Sequence, residues 1–359
     1  MGGTDGPRIL KALRPKVAVV LGGGGARGFA HLGVLKVLER EGIPVDLLVG
    51  CSAGALVGSL YAFSGSVEAA EKALLAYTSS PEFQDGRYRD IQTITPLEKP
   101  QKEGFFRRLK RAYKTAAFFA STLLRESYVK PEEFEANVAG ILPDRKIEES
   151  PIPLCIVAAD LQTGDEVVLR EGPLRLAVQA SSAIAGVFPP VRWQGRDLVD
   201  GGFVDKVPVE AALRLGADVV IAVDVSLDVA FDGNLDRRGT TLTTRASAIL
   251  SEALTQSQIR FADVVIRPDI RKVHWADFHS VPQAIPLGEE AAEAALPAIR
   301  SALRRGWLRR LLRLLGRHPR RTVVFRPYPR EGTASPPPLP APPAPVPPSG
   351  DPTPPPKEG

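Results

Sequence analysis

Short apolar runs alternate with amphipathic stretches along the first half of the chain. Residues 16–21 and 45–49 are nearly continuous apolar runs of strand length, typical of parallel strands buried on both faces. Residues 29–41 and 53–63 instead carry apolar side chains at helical spacing. This β–loop–α–β–turn–α order opens a doubly wound sheet, so we expect a three-layer α/β/α fold with a central, mostly parallel sheet.

The same patterns predict elements along the rest of the chain. Residues 80–104 are irregular, and residues 105–130 form a basic and aromatic stretch with helical spacing. The other predicted elements are helices over 66–78, 174–182, 208–215, 241–261 and 287–304, strands over 153–159, 166–169, 217–225 and 263–267, and a hairpin over 191–199.

Composition divides the chain into five parts. Thirteen of the 34 prolines fall in residues 331–359, which we expect to be a disordered Pro-rich tail. Residues 304–330 hold ten arginines and no acidic residue, and they form a basic amphipathic segment. Before it we expect a leader over 1–15, a main domain over 16–226, and a C-terminal α/β extension over 227–303 packed on the core.

Charge is concentrated in the basic segment. The tail carries a net charge of −2 and the basic segment +10, so the total of +5 leaves −3 for residues 1–303. The main domain is therefore mildly acidic, and we expect no nucleic-acid partner. Any attraction to phosphate-rich surfaces belongs to the C-terminal segment.

The basic segment also has an apolar stripe, which leaves two interpretations open. Arginines opposite Trp and Leu are typical of a helix lying on an anionic lipid surface, and a terminal helix docked on the domain fits equally well. The stripe consists of Trp307, Leu308, Leu311, Leu312 and Leu315.

Cysteine content and hydropathy indicate the cellular compartment. Cys51 and Cys155 are too few for a disulfide framework or a zinc site, and we expect buried thiols, no metal and no cofactor. No apolar segment is long enough for a secretory leader or a membrane span. We expect a cytoplasmic protein, peripheral to the inner face of the membrane, and the oligomeric state is left open.

Two glycine-rich turns carry the candidate chemistry. Gly50-Cys51-Ser52-Ala53-Gly54 places a serine on a tight strand-to-helix corner, where glycines on both sides avoid steric clash. Upstream, the loop Gly23-Gly24-Gly25-Ala26-Arg27-Gly28 offers backbone N–H groups that could hold an oxyanion. A nucleophile and an oxyanion hole within 30 residues predict a serine acyl hydrolase.

The glycine loop has an alternative interpretation as a dinucleotide site. That site needs an acidic residue at the end of the second strand to bind the ribose. Asp46 lies in this interval, but at the start of the predicted strand, and the strand runs into Ser52. The pattern favours the hydrolase and keeps a nucleotide-binding module as the alternative.

A serine nucleophile needs a base, and no histidine lies between Ser52 and Asp200. The order Ser52, Asp200, His274 would formally suit a triad, and His31 could be a packing residue or a base. Asp200 precedes Gly201 and Gly202 after an apolar strand, where another backbone can approach closely. It is therefore the best candidate for a Ser–Asp dyad, in which a carboxylate raised in pKa by burial takes the hydroxyl proton directly.

The glycine loop, the serine turn and Asp200-Gly201-Gly202 together resemble the three signature blocks of the patatin-like phospholipase family. The resemblance covers about residues 16–226, and it extends to the segments 28–35, 180–184, 187–190 and 216–220. It implies a lipid acyl hydrolase with Ser52 as nucleophile, Asp200 as proton acceptor, the loop 23–28 as oxyanion hole, and Arg27 as the basic position of that loop.

The implied reaction is ester hydrolysis through an acyl-enzyme, in lipid catabolism or remodelling. The expected partners are an acyl lipid or ester substrate and an anionic membrane surface. A thioesterase or transacylase with the same site, or a non-catalytic lipid- or nucleotide-binding module, remain the alternatives.

Overall fold

A mixed sheet with helices on both faces organises the part of the chain that the structure describes. The computed structural model describes residues 14–84, 126–226, 239–279 and 281–314. The strands are β1 (Val17–Leu21), β2 (Leu47–Cys51), β3 (Leu154–Asp160), β4 (Glu166–Leu169), β5 (Val191–Trp193), β6 (Arg196–Asp200), β7 (Val219–Val223) and β8 (Val264–Ile266). Their order is β5-β6-β3-β2-β1-β7-β8, with β4 also paired to β3.

Helices fill the connections between these strands. They are α1 (Ala30–Arg40), α2 (Ala53–Ser64), α3 (Val67–Thr78), α4 (Pro81–Gln84), α5 (Pro131–Ile141), α6 (Leu174–Ser182), α7 (Val209–Arg214), α8 (Gly239–Ile259) and α9 (Val281–Leu314). Short 3-10 turns over Gly25–Phe29, Ile147–Glu149 and Gly201–Phe203 complete the described elements.

The sheet separates two apolar layers because successive side chains of a strand point to opposite faces. On β1, Val17, Val19 and Leu21 pack with helices α1, α2 and α9. Ala18 and Val20 pack on the other face, with α7 and the end of α8. The expected three-layer fold is confirmed.

Parallel pairing joins the five strands β8, β7, β1, β2 and β3, and antiparallel pairing adds the rest of the sheet beside β3. The chain runs from β1 to β2 on one side, whereas β7 pairs with β1 on the other. Ligand sites of α/β sheets form at the carboxyl ends of strands where the strand order reverses. The glycine loop follows β1 at this position.

Several predicted boundaries differ from the structure, and two of the differences have their reasons in tertiary contacts. Strand β2 begins at Leu47 instead of Val45, because Asp46 turns its carboxylate to accept the Val17 N–H. Helix α9 runs from Val281 to Leu314 instead of from 287 to 304, and it contains Pro286 and Pro297. Each internal proline removes one i→i−4 hydrogen bond. The burial of Ile285 and its neighbours against α1 compensates for that loss.

Helices α4 and α5 were not predicted, and α4 lies in the stretch 80–104 that was expected to be irregular. The helical stretch expected over 105–130 fails at its end. Residues 126–130 are not helical, and residues 105–125 lie outside the described part of the chain. Lys130 has extended dihedrals, φ −71° and ψ 148°, because a residue before proline avoids the helical region. Pro131 then occupies the first turn of α5, where its missing N–H costs nothing.

The expected domain boundaries stay predictions. Strand β8 pairs with β7, so residues beyond 226 belong to the same sheet as the main domain. The expected leader, except for residues 14 and 15, and the tail over 331–359 lie outside the described residues.

Candidate active site

Ser52 occupies a strained turn between β2 and α2. Its dihedrals, φ 52° and ψ −118°, are unusual for a residue with a side chain, and the side chain is buried. A Cβ at Gly54 would lie 1.9 Å from the Leu21 carbonyl oxygen, so only glycine fits there. Gly50, Cys51 and Ala53 complete the turn, with Cys51 ending β2 and Ala53 beginning α2.

Asp200 lies at the end of β6 and meets the serine directly. The Ser52 hydroxyl donates to Asp200 Oδ2 at 2.7 Å. Asp200 Oδ1 accepts the Gly202 N–H at 2.7 Å and faces the Cys51 thiol at 3.8 Å. The tertiary structure thus joins two residues separated by 148 positions in a hydrogen-bonded pair.

The environment of Asp200 shifts its acidity in two directions. Burial is the larger effect and raises the pKa of Asp200 above its ordinary value. Hydrogen bonds from Ser52 and Gly202, together with the positive charge of Lys206, act against it. The result is a stronger base than a solvated carboxylate.

The glycine loop lies against the serine. A Cβ at Gly23 would come within 3.3 Å of Ser52 Cβ. The Gly23 N–H donates to the Lys206 carbonyl at 2.9 Å, and the Ala26 N–H donates to the Trp275 carbonyl at 2.7 Å. Gly24 and Gly25 lie between these anchors, and in the described ranges no backbone carbonyl outside the helices accepts from their amides.

Arg27 is half-buried within the same loop. Its Nε donates to the Val273 carbonyl at 2.9 Å, which ties the loop to the segment before α9. Burial lowers the pKa of Arg27 to about 10, so the guanidinium stays charged at neutral pH. Gly28 packs against Ala53 at the start of α2.

The histidines take other roles. His31 is fully buried, and its Nε2 lies 2.8 Å from the Gly22 carbonyl oxygen, which makes Nε2 the donor. Burial lowers the pKa of His31 to about 4, so it is a neutral packing residue. His274 Nδ1 accepts the Ala276 N–H at 3.0 Å, whereas the Ser52 hydroxyl donates to Asp200. The hydrogen bonds thus favour the dyad over the triad order.

A largely apolar cavity of about 110 Å³ opens beside Ser52. Its walls come from five helices, the 3-10 turn Gly25–Phe29 and two loops. The aromatic rings of Phe134 and Phe188 stack at 4.4 Å between centroids. Among its lining residues are Phe29, Leu56, Phe134, Val138, Phe188 and Phe278. Such a cavity can hold a hydrocarbon chain next to the serine hydroxyl.

Part of this wall was not predicted from the sequence. Phe134, Val138 and Ile141 of α5 recur at helical spacing after Pro131, so the signal was present in the pattern. Trp275 and Phe278 lie in an irregular segment without periodicity, and only the tertiary fold brings them to the cavity.

Other kinds of site find less support. Asp46 lies beside the amino end of β1, where it accepts the Val17 N–H and pairs with Arg14. The glycine loop follows the opposite, carboxyl end of that strand. Within residues 14–84, 126–226, 239–279 and 281–314, no three His, Cys, Asp or Glu side chains are grouped as metal ligands would be. None of the described helices combines the length and apolarity needed to cross a bilayer.

Curated relatives share this region of the chain. The protein ZK370.4 of Caenorhabditis elegans, a patatin-like phospholipase domain-containing protein, is 33% identical over 211 residues, 58% of this chain and 13% of the relative. Human patatin-like phospholipase domain-containing protein 6 is 31% identical over 225 residues, 62% of this chain and 14% of its own. Lysophospholipase NTE1 of Mycosarcoma maydis is 32% identical over 209 residues, 58% of this chain and 10% of its own. The chain therefore spans only 10–14% of the length of these relatives.

Solved structures with low sequence identity are also similar. The match to VipD from Legionella pneumophila covers 80% of this chain and 67% of the VipD chain, with 15% sequence identity and a TM-score of 0.44. The match to human GIVD cytosolic phospholipase A2 covers 83% of this chain and 60% of the phospholipase chain, with 14% sequence identity and a TM-score of 0.36. A family model described as patatin-like phospholipase matches residues 19–213, more than half of the chain. Because that span contains the glycine loop, Ser52 and Asp200, the chain belongs to the patatin-like phospholipase family.

Proposed function

We propose that this protein is a lipid acyl hydrolase, a serine carboxylic-ester hydrolase that works through a Ser–Asp dyad and an acyl-enzyme. The observation that carries the proposal is the 2.7 Å hydrogen bond from the Ser52 hydroxyl to buried Asp200, next to an apolar cavity. The lysophospholipase among the relatives and the family match support a phospholipid or lysophospholipid substrate.

In the first step Ser52 Oγ attacks the ester carbonyl while its proton moves to Asp200 Oδ2. The carbonyl oxygen becomes an oxyanion, and we assign its stabilisation to the amides of Gly24 and Gly25, since those of Gly23 and Ala26 are bonded to backbone carbonyls. Collapse of the tetrahedral intermediate breaks the ester bond, and the leaving alcohol takes the proton from Asp200. The acyl group stays on Ser52 Oγ.

In the second step water attacks the acyl-enzyme and gives a proton to Asp200. The second intermediate collapses to the free acid, and the proton returns to Ser52 Oγ. A thiol leaving group or an alcohol acceptor fits the same steps, so thioesterase and transacylase activities are alternatives to be separated by the choice of substrate.

The experiment compares wild type with Ser52→Ala and Asp200→Asn. Hydrolysis of phospholipid, lysophospholipid, acyl thioester and p-nitrophenyl esters is measured, together with labelling by a fluorophosphonate. We expect labelling of wild type, none in Ser52→Ala, and a loss of turnover of roughly 10⁴-fold or more in both variants. Absence of labelling with direct nucleotide binding would favour the non-catalytic module, and full activity in Asp200→Asn would contradict the dyad.

Contact with an anionic membrane surface is a separate part of the proposal. In the described portion of the basic segment, Trp307 and Leu308 point to solvent, while Arg309 and Arg310 bind the carboxylates of Asp263 and Asp218. The two arginines thus hold the helix on the domain, and the exposed Trp307 and Leu308 are free to contact a lipid surface. The residues of the segment beyond 314 lie outside the described part.

The membrane test uses Ser52→Ala protein and sedimentation with anionic vesicles. We expect Trp307→Glu combined with Leu308→Glu to weaken binding, and zwitterionic vesicles to bind less. As a comparison, Ile249 and Leu250 are exposed apolar residues of α8 and are changed to Glu in the same way. A loss of binding only in that comparison variant would contradict the proposal.

A further inference from the structure

One segment that contributes to the family resemblance has no place in the mechanism above. None of residues 180–184 takes part in that mechanism, yet Ser181, near the end of α6, is fully buried. Its hydroxyl makes two short hydrogen bonds, accepting the Ser52 N–H at 2.8 Å and donating to the Val157 carbonyl at 2.6 Å. Ser52 directly follows β2, and Val157 belongs to the neighbouring strand β3.

The register of those strands explains why a hydroxyl is needed there. Leu48 pairs with Leu154, and the Leu48 N–H donates to the Pro153 carbonyl. In a parallel ladder this pattern repeats every two residues, so a regular continuation would join the Ser52 N–H to the Val157 carbonyl. Ser52 instead turns out of the strand, with φ 52° and ψ −118°.

The turn separates a donor and an acceptor that the ladder would otherwise have paired. Both lie in the buried centre of the sheet, where an unpaired amide or carbonyl is costly. The Ser181 hydroxyl is inserted between them and satisfies both, since it accepts one hydrogen and donates its own.

The same carbonyl also meets the loop that follows the base. A Cβ at Gly201 would lie 2.3 Å from the Val157 oxygen, so the backbone after Asp200 crosses directly over this atom. The Val157 carbonyl is therefore linked to both members of the dyad. The Ser181 hydroxyl links it to Ser52, and the close approach of Gly201 links it to Asp200.

We propose that Ser181 is a positioning residue for the nucleophile, which holds the strained Ser52 turn by replacing the missing ladder hydrogen bond. It keeps Ser52 Oγ in line with Asp200 without touching the substrate. The Ser52 N–H is committed to Ser181, so it does not serve as an oxyanion donor. The catalytic part of this inference rests on the proposed function.

The test compares Ser181→Ala with Ser59→Ala. Ser59 is equally buried on α2, and within the described residues its hydroxyl has no hydrogen-bond partner, which makes it a matched control. With a soluble p-nitrophenyl ester we expect kcat to fall roughly 10²-fold in Ser181→Ala, as for a misplaced catalytic group, while KM stays within twofold. The rate of fluorophosphonate labelling should fall in parallel, and Ser59→Ala should match wild type.

Two further measurements separate positioning from folding. Ser181→Cys keeps a weak donor and acceptor of similar size, so we expect it to recover part of kcat and of the labelling rate. Amide hydrogen exchange of Ser52 should be slow in wild type and in Ser59→Ala, and at least about tenfold faster in Ser181→Ala. If Ser181→Ala does not fold, Ser181→Cys serves for both measurements, with smaller effects in the same direction.

The outcomes distinguish this inference from the proposed function. A wild type that neither hydrolyses esters nor reacts with the fluorophosphonate would refute the function, while the exchange of the Ser52 amide would still test the hydrogen bond. Unchanged kcat, labelling and Ser52 exchange in Ser181→Ala would overturn the role of Ser181. A rise in KM alone, with kcat retained, would also overturn it.

Discussion

Asp200 experiences opposing influences, and one of them is the positive charge of Lys206. Burial raises the pKa of the carboxyl, and the positive charge of Lys206 lowers it. The proposed mechanism needs the carboxylate, so activity should fall as the pH drops through this raised pKa. The acid limb of the pH–rate profile therefore reports the environment of Asp200.

Lys206→Met tests this assignment. Loss of the cation removes an influence that favours the carboxylate, so the pKa of Asp200 rises further and the acid limb of kcat/KM should move to higher pH. Lys130→Met, at an exposed lysine before α5, is the control. A limb that stays in place, or moves to lower pH, would contradict Asp200 as the base.

His31 couples the stability of the fold to pH. Its Nε2 is bonded to Gly22, and in the described part of the chain its Nδ1 has no partner, so a second proton would be buried without an acceptor. The pKa falls from 6.5 to about 4. The unfolded chain takes up the proton first, so the stabilisation is complete above pH 6.5 and is lost as the pH falls toward 4.

The expected loss amounts to about 3 kcal/mol of unfolding free energy between pH 7 and 4. Denaturant unfolding at a series of pH values measures it. His31→Gln should flatten this dependence, whereas His279→Gln, at an exposed histidine, should keep it. Equal slopes in wild type and His31→Gln would show that another group causes the acid sensitivity.

Among the helices, α5 supplies a wall of the cavity without touching the dyad. Val138 is buried and faces the cavity, and Ala136 on the same helix is exposed. Val138→Phe should fill space that a long acyl chain would occupy and leave room for a short one. Each methylene kept out of the cavity costs about 0.8 kcal/mol, or roughly a factor of four in affinity.

We therefore expect Val138→Phe to lower kcat/KM for long-chain p-nitrophenyl esters by an order of magnitude or more, and to leave the butyrate ester nearly unchanged. Ala136→Phe is the control. An equal loss for all chain lengths would indicate damage to the dyad or the fold, and would contradict the cavity as the acyl site.

At the scale of the whole described fold, α9 runs along the sheet from the glycine loop after β1 to the amino ends of β7 and β8. Near its start Ile285 packs on α1, and near its end Arg309 and Arg310 bind carboxylates that precede β8 and β7. A helix of 34 residues is about 50 Å long, which is enough for this path. Asp218 is fully buried and also accepts the Lys16 N–H at 2.9 Å.

Arg310→Met should lower the unfolding free energy by about 2 kcal/mol, because it leaves the buried Asp218 carboxylate without this cation. Arg305→Met, at an exposed arginine that donates to Ser301, should change it little. Thermal or denaturant unfolding of both variants is the measurement. Equal stabilities would show that the end of α9 does not hold the sheet.

Local patterns were sufficient for most elements of the fold. The apolar run before the glycine loop, the alternation of the 191–199 hairpin and the spacing of 174–182 each matched the structure, because burial on a sheet or helix face imposes a fixed period. Helix α9 begins before the predicted residue 287, because packing against α1 outweighs the hydrogen bonds lost at Pro286 and Pro297. The start of β2 depended on Asp46, whose partner Val17 lies on another strand.

The sequence alone predicted the residues of the candidate site, since a serine between glycines, a glycine loop and an Asp-Gly-Gly turn are each recognised from neighbouring residues. Only the tertiary structure decided which groups meet. It joined Ser52 to Asp200, buried His31 away from the base role, and placed the hydroxyl of Ser181 in the gap of the ladder. The two contacts of Ser52 join residues more than a hundred positions apart, and the burial of His31 depends on packing between elements. No local period in the chain encodes either.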